Sequence, residues 1–205
     1  MQKAYKQTVR HYYKYVYNSF NRPNLTANGT IGENNFAVQA SSEYGNYKAY
    51  LAFDGVYSAS SPSENYNNYW CTGAGLYNGY IIFYNPNPLN ISSLKIQQPM
   101  GSHYYVSGIL YGSNNNVDWT QLATFTPSTT AYSFYTLDLE YVDYYKYYKI
   151  YIDGVNHSPA LAEVEITATE KVAVESTSSD YDFYEDENEY SVFSESNNFY
   201  AFNNI

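Results

Sequence analysis

Short runs rich in Tyr, Ile, Val, Phe and Thr recur through the middle of the chain, and polar turn-forming clusters separate them. The runs are FAVQAS from Phe36, YIIFY from Tyr80, ISSLKIQ from Ile91, VSGILYG from Val106, WTQLATF from Trp119, YSFYTLDL from Tyr132, YYKYYKIYI from Tyr144 and LAEVEITAT from Leu161. Between them lie NPNP at Asn85, GSNNN at Gly112, TPST at Thr126 and DGVNHSP at Asp153. Pro, Gly, Asn and Asp favour turns, and β-branched and aromatic residues suit a pleated surface. About eight short strands at near-regular spacing, with no helical pattern between them, predict an all-β fold, an antiparallel sandwich or jelly roll.

The ends read differently. Tyr5, Val9, Tyr12, Tyr13, Val16 and Phe20 recur at three- and four-residue steps, which predicts an amphipathic helix over residues 2–19. Asn21 and Pro23 would stop it, because proline disfavours a helical conformation in the residue before it. From Ser176 onward, acids mix with Tyr181, Phe183, Tyr184, Tyr190, Phe193, Phe199, Tyr200 and Phe202, and the aromatics predict an arm docked on something. The expected organisation is a basic anchoring or oligomerising helix at 1–22, a sandwich at 23–170 and an acidic aromatic arm at 171–205.

Charge sharpens this division. Before Pro23 every charged residue is basic, and after Lys171 every one is acidic. Between them four lysines face twelve acids, and the whole chain of 205 residues carries a net charge of −10. An acidic surface repels phosphate backbones and anionic headgroups, so nucleic acid and membrane insertion are not expected as partners. No apolar run is long enough to span a bilayer, and the N-terminus does not read as a signal peptide. One cysteine, Cys71, cannot form an intrachain disulfide. It reads as a small buried hydrophobe. Tyrosine is abundant, at 29 residues, so much of the apolar surface carries a hydroxyl that needs water or a partner.

Two stretches carry a family likeness. ASSEYGNYKAYLAFDG from Ala40 and SGILYGSNNNVDWTQL from Ser107 resemble the paired signatures of the coagulation-factor type C, or discoidin-like, domain, whose relatives include galactose-binding-like carbohydrate-binding modules. The resemblance covers about residues 23–170 and implies a jelly-roll sandwich that binds glycans without catalysis. Gly112, Ser113 and the three asparagines after it suit a turn that needs left-handed backbone, so those asparagines read as mechanical. Trp119 restarts a strand and reads as core, with sugar stacking as the other role open to it.

The resemblance also implies a structural calcium ion, held by side chains matching Asp54 and Glu163 and by backbone carbonyls among Leu51, Val56 and Ala162. Calcium takes six to eight oxygens, which a tight glycine-containing loop can supply. This chain departs from the family after Gly55, where Val56 stands in place of an acid or amide. Without an ion, Asp54 would cap the turn and Glu163 would be solvated.

Glycan binding in such modules uses loops at one end of the sandwich, with a ring on the pyranose face and polar groups on its hydroxyls. The candidates are Tyr44, Asn46 and Tyr47 in the first loop, and Tyr66 and Tyr69 in the second, where Asn67 and Asn68 add amides. His103, Tyr104 and Tyr105 follow in the third, with Asn156 and His157 in the last. The body has no arginine, which argues against galactose in particular. No nucleophile elbow, phosphate loop or helical His pair occurs, and Glu163 and Glu165 share one strand without a cleft, so no catalytic residue is expected.

Two functions follow. The leading expectation is a carbohydrate-binding or adhesion module on a larger assembly. NLTANGT from Asn24 is similar to modules in virion fibre or decoration proteins of gut bacteriophages, which implies assembly in a cytoplasm and display on a virion or extracellular surface. The alternative is a structural assembly protein in which the sandwich is a spacer. In both, the termini dock to other subunits, in a homo-oligomer or a virion.

Overall fold

A computed structural model describes residues 4–59, 68–99, 103, 105–140, 142–154, 158–184 and 198–201, of which 4–12, 176–184 and 198–201 are described by their backbone alone. The chain divides into two units, Tyr17–Val172 and a second composed of Met1–Val16 with Ala173–Ile205.

The larger unit is built around one long strand. The elements in chain order are β1 (Ala4–Ser19), β2 (Ala37–Ala40), a 3-10 turn (Ala49–Ala52), β3 (Trp70–Cys71), β4 (Asn78–Gln97), β5 (Ser107–Ser113), β6 (Thr120–Phe125), β7 (Phe134–Asp138), β8 (Tyr145–Asp153), β9 (Ala160–Leu161), β10 (Glu163–Tyr184) and β11 (Asn198–Ala201). The first half of β4 pairs with β2 and β8, and its second half pairs with β10 and β7, all antiparallel. β8 continues to β5, and β5 to β6. A strand that changes partners midway turns the corner between two packed layers. Ile81 and Phe83 of its first half, and Leu89, Ile91, Leu94 and Ile96 of its second, enter one core with Leu110, Tyr148, Ile150, Ile152 and Val164. β3 and β9 form a separate two-stranded ladder.

NPNP, expected as a turn between two strands, instead lies inside β4. Pro86 and Pro88 fall in the gap between Tyr84 and Leu89, where the ladder to β8 shifts register and a missing N–H costs nothing. Asn85 repairs the gap: its side-chain amide donates to the Asn87 carbonyl at 2.8 Å and to Glu170 Oε1 at 2.7 Å.

The expected helix at 2–19 is also corrected, because that segment is strand β1. A stripe at three- and four-residue steps is no stronger a signal than the segment's Tyr, Val and Thr content, which favours strand once a partner edge exists. Tyr13, Tyr15, Val16 and Tyr17 are all exposed, so no single helical face is buried. In the smaller unit β1 pairs antiparallel with β11, which comes from the acidic tail. The tail's aromatic side chains lie outside the described residues.

The GSNNN turn behaves as read. Ser113 Oγ accepts the N–H groups of Asn115 and Asn116, Asn115 Oδ1 accepts those of Val117 and Asp118, and Asn116 takes a positive φ of 60°. Trp119 does not join the core. It is half-buried on the opposite side of the sheet, with Lys149 Nζ 4.1 Å from its ring centre, 4.9 Å from that of Tyr111 and 5.6 Å from that of Tyr80.

Candidate functional site: an aromatic ladder and a closed cation loop

The loop after β2 is fastened by Glu43. Its Oε1 accepts the Asn28 amide at 2.8 Å and the Ala49 N–H at 2.9 Å, Asn28 Oδ1 accepts the Tyr50 N–H, and Lys48 pairs with Oε2 at 3.1 Å. Burial acts to raise the Glu43 carboxyl, but the Ala49 N–H, the Asn28 amide and Lys48 outweigh it and hold the group below the usual glutamate value. Held at its base, the loop folds back so that Tyr44 and Tyr47 bridge each other, with Gly45 at φ 55° making the reversal. Its tip is tied to β3, since the Tyr44 N–H donates to the Cys71 carbonyl and the Cys71 N–H to that of Tyr47.

These ties stack four of the predicted ligand residues. The Tyr44 and Tyr47 rings are parallel within 7° at 6.2 Å, Tyr47 and Tyr69 within 13° at 4.7 Å, and His103 tilts against Tyr69 at 5.9 Å. The ladder runs from buried Tyr69, through half-buried Tyr47, to Tyr44, which is 51% exposed. Asn46 is exposed at the loop tip. Behind the ladder, His103 Nδ1 lies 3.1 Å from the Ser158 carbonyl, an acceptor only, so Nδ1 carries the proton. Cys71 is buried there with Ala160 and Ala162 as a small hydrophobe, its thiol pushed up to about 11 by burial. Tyr66, Tyr104, Asn156 and His157 lie outside the described residues.

Of the residues expected to hold calcium, Leu51, Asp54, Val56 and Glu163 come together, with Asn68 and Arg22 as additional partners, and Ala162 does not join them. Leu51 O, Asp54 Oδ1 and Val56 O converge at 3.4, 3.1 and 2.8 Å on the Asn68 amide nitrogen. Asp54 Oδ1 also caps the turn by accepting the Val56 N–H at 2.9 Å. Glu163 is 1% exposed rather than solvated. One of its oxygens takes Arg22 Nη2 at 2.6 Å and the other takes the Gly55 N–H at 3.2 Å. Burial pushes the Glu163 carboxyl up, opposed by the Arg22 guanidinium that favours its charged form, while burial raises Asp54 against its hydrogen bonds from Val56 and Asn68. Ala162 belongs to the cluster behind the ladder, and its N–H donates to the Gln97 carbonyl. As arranged, the set does not fit an ion, because its oxygens already face an amide N–H, a guanidinium and a backbone N–H. Among the described residues, no three His, Cys, Asp or Glu side chains form a metal-binding group.

Sequence reading missed Arg22 and the direction of Asn68. Arg22 stands one residue ahead of the recognised region, and Asn68 reads as a ligand-facing amide although it points into the loop. The basic charge of Arg22 close to Pro23 was visible, but its acidic partner lies 141 residues away.

No protein-family model matches the chain, and no curated protein matches it. Solved structures do. A family 32 carbohydrate-binding module from Clostridium perfringens NanJ, in complex with galactose, is 20% identical, covers 66% of this chain and 93% of its own, and superposes with a TM-score of 0.53. Chitosan-binding module 1 from a chitosanase/glucanase of Paenibacillus sp. IK-5 is 20% identical, covers 64% and 94%, and gives 0.51. A pectin-binding carbohydrate-binding module is also 20% identical, covers 63% and 88%, and gives 0.51. The fold is the discoidin-like, galactose-binding-like sandwich. At this identity the likeness establishes the fold of this chain.

Proposed function

We propose that this protein is a non-catalytic glycan-binding module, with the ladder Tyr44–Tyr47–Tyr69 as its platform. The observation that carries the reading is the stack itself. Two tyrosines support a third whose ring is half exposed at the end of a loop closed by Glu43. A half-exposed ring held against two others suits the apolar face of a sugar, and Asn46, exposed at the same loop tip, can serve its hydroxyls. Galactose-binding, chitosan-binding and pectin-binding proteins share the fold, which supports carbohydrate as the ligand class without choosing among sugars.

A single small platform binds weakly, with a dissociation constant near the millimolar level, about −4 kcal/mol, so useful adhesion requires several copies. The unit formed by the two ends of the chain, in which β11 pairs with β1, supports display on a larger assembly through those ends. A virion fibre or decoration protein at an extracellular surface is the setting we favour. The competing role is a spacer in that assembly.

A multivalent form of the protein should retain a subset of glycans on an array. Tyr44→Ala should weaken retention about tenfold, roughly 1.4 kcal/mol, without changing the melting temperature. A multivalent protein that retains no glycan across a broad panel would leave only the spacer role.

A further inference from the structure

We infer that Arg22 and Asn68 together take the place of a bound cation, so that the Leu51–Val56 loop closes without metal. This inference stands apart from the glycan reading, since it concerns the other loop and holds whether or not a sugar binds.

The geometry is that of an oxygen cage with nitrogen at its centre. Two backbone carbonyls and one carboxylate oxygen, from Leu51, Val56 and Asp54, converge on the Asn68 amide nitrogen within 3.4 Å. Such convergence normally collects around a hard cation. An amide NH2 carries two protons, which serve the two nearer oxygens, Val56 O and Asp54 Oδ1, directly, with Leu51 O the most distant at 3.4 Å. The amide supplies no net charge.

Arg22 supplies the charge. Its side chain is only 9% exposed, and its fork reaches three places: Nη2 to Glu163 Oε1 at 2.6 Å, and Nη1 to the carbonyls of Phe53 and, at 3.1 Å, Pro23. The guanidinium also lies 5.7 Å from the centre of the buried Phe53 ring. Planar guanidinium groups suit this kind of buried carboxylate-and-carbonyl site better than a point charge does.

The incoming chain reinforces the closure. The Leu25 N–H donates to the Phe53 carbonyl at 2.9 Å. The Asn24 side chain packs so closely on Gly55 that a Cβ there would come within 2.7 Å of it, and Gly55 holds φ at 79°. Residues 22–25 thus cover the loop and bring their own positive charge. A divalent ion would have to displace the Asn68 amide from its three oxygens and contest Glu163 with Arg22.

The test uses the full chain. Melting curves are recorded with added calcium and with a chelator, beside titration with calcium by calorimetry and with terbium by luminescence. The parent should melt at one temperature in both conditions and give no saturable binding signal. Arg22→Ala should melt on the order of 10 °C lower, because Glu163 is left buried without its partner. Added calcium should recover part of that loss in the variant and none in the parent. A parent whose melting temperature falls with chelator, or which binds calcium or terbium stoichiometrically, overturns the inference. So does an Arg22→Ala variant that melts with the parent. Should the variant not fold, the parent's calcium and terbium titrations decide alone.

Discussion

Tyr105 and Tyr148 are both fully buried in the core, but Tyr148 donates its hydroxyl to the Leu89 carbonyl at 2.6 Å, whereas the Tyr105 hydroxyl has no partner among the described residues. A buried polar group without a partner costs free energy, and a satisfied one becomes costly when its partner is removed. The same substitution should therefore have opposite signs at the two sites. Tyr105→Phe should raise stability by about 1 kcal/mol, a gain of roughly 2 to 4 °C, while keeping its edge-on contact with Phe125. Tyr148→Phe should lower stability by a similar amount, since its buried hydrogen bond to the Leu89 carbonyl is lost. Paired thermal and urea unfolding measurements check both. The sequence reads Tyr105 as a ring of a candidate binding loop, which its burial in the core corrects, and Tyr148 only as a tyrosine in a β-rich stretch. Trp119 shows the same limit: it sits where a core residue would be expected, yet one step of strand alternation puts it on the outer face under Lys149. Side-chain period tells which residues share a face but not which face a neighbouring layer covers.

Most strands of the sandwich were legible, because their Tyr, Ile and Val runs coincide with β2, β5, β6, β7 and β8. Others were not, β4 and β1 among them. In β4 the NPNP break is local, but long pairing on both sides holds the strand together across it. In β1 the sequence offers two periods, and its partners, β10 and β11, come from the far end of the chain. The loop at 43–48 was legible as a candidate by its rings and amides, but its fastening by Glu43 and Asn28 was not. That fastening predicts a pH dependence. The folded Glu43 carboxyl sits below its unfolded value, so its contribution is complete above the unfolded pKa, roughly 4.3, and is lost as pH falls through the lower folded value. Glu43→Gln should melt below the parent at neutral pH and converge with it in acid. Melting temperatures of the two proteins across pH 3 to 7, read as their difference, should show this convergence.

At the level of the whole chain, the sandwich core is complete within Tyr17–Val172. A fragment spanning those residues retains Phe20, Arg22 and the whole closed loop, and should fold cooperatively, with a melting temperature within a few degrees of the full chain. A fragment that begins at Pro23, where the family likeness begins, lacks Arg22 and should melt clearly lower; calorimetry on the two fragments distinguishes them. The sequence located the acidic and basic ends but not this boundary, because the decisive contact joins residue 22 to residue 163. The incoming and outgoing segments of the sandwich are joined twice, by the Phe20 N–H to the Ala168 carbonyl at 2.9 Å and by Arg22 to Glu163. Its two points of attachment are therefore one. A pull on the two ends does not stretch the core from opposite poles, and tension along the chain is carried by the seam before it reaches Ile81, Phe83 or Ile150.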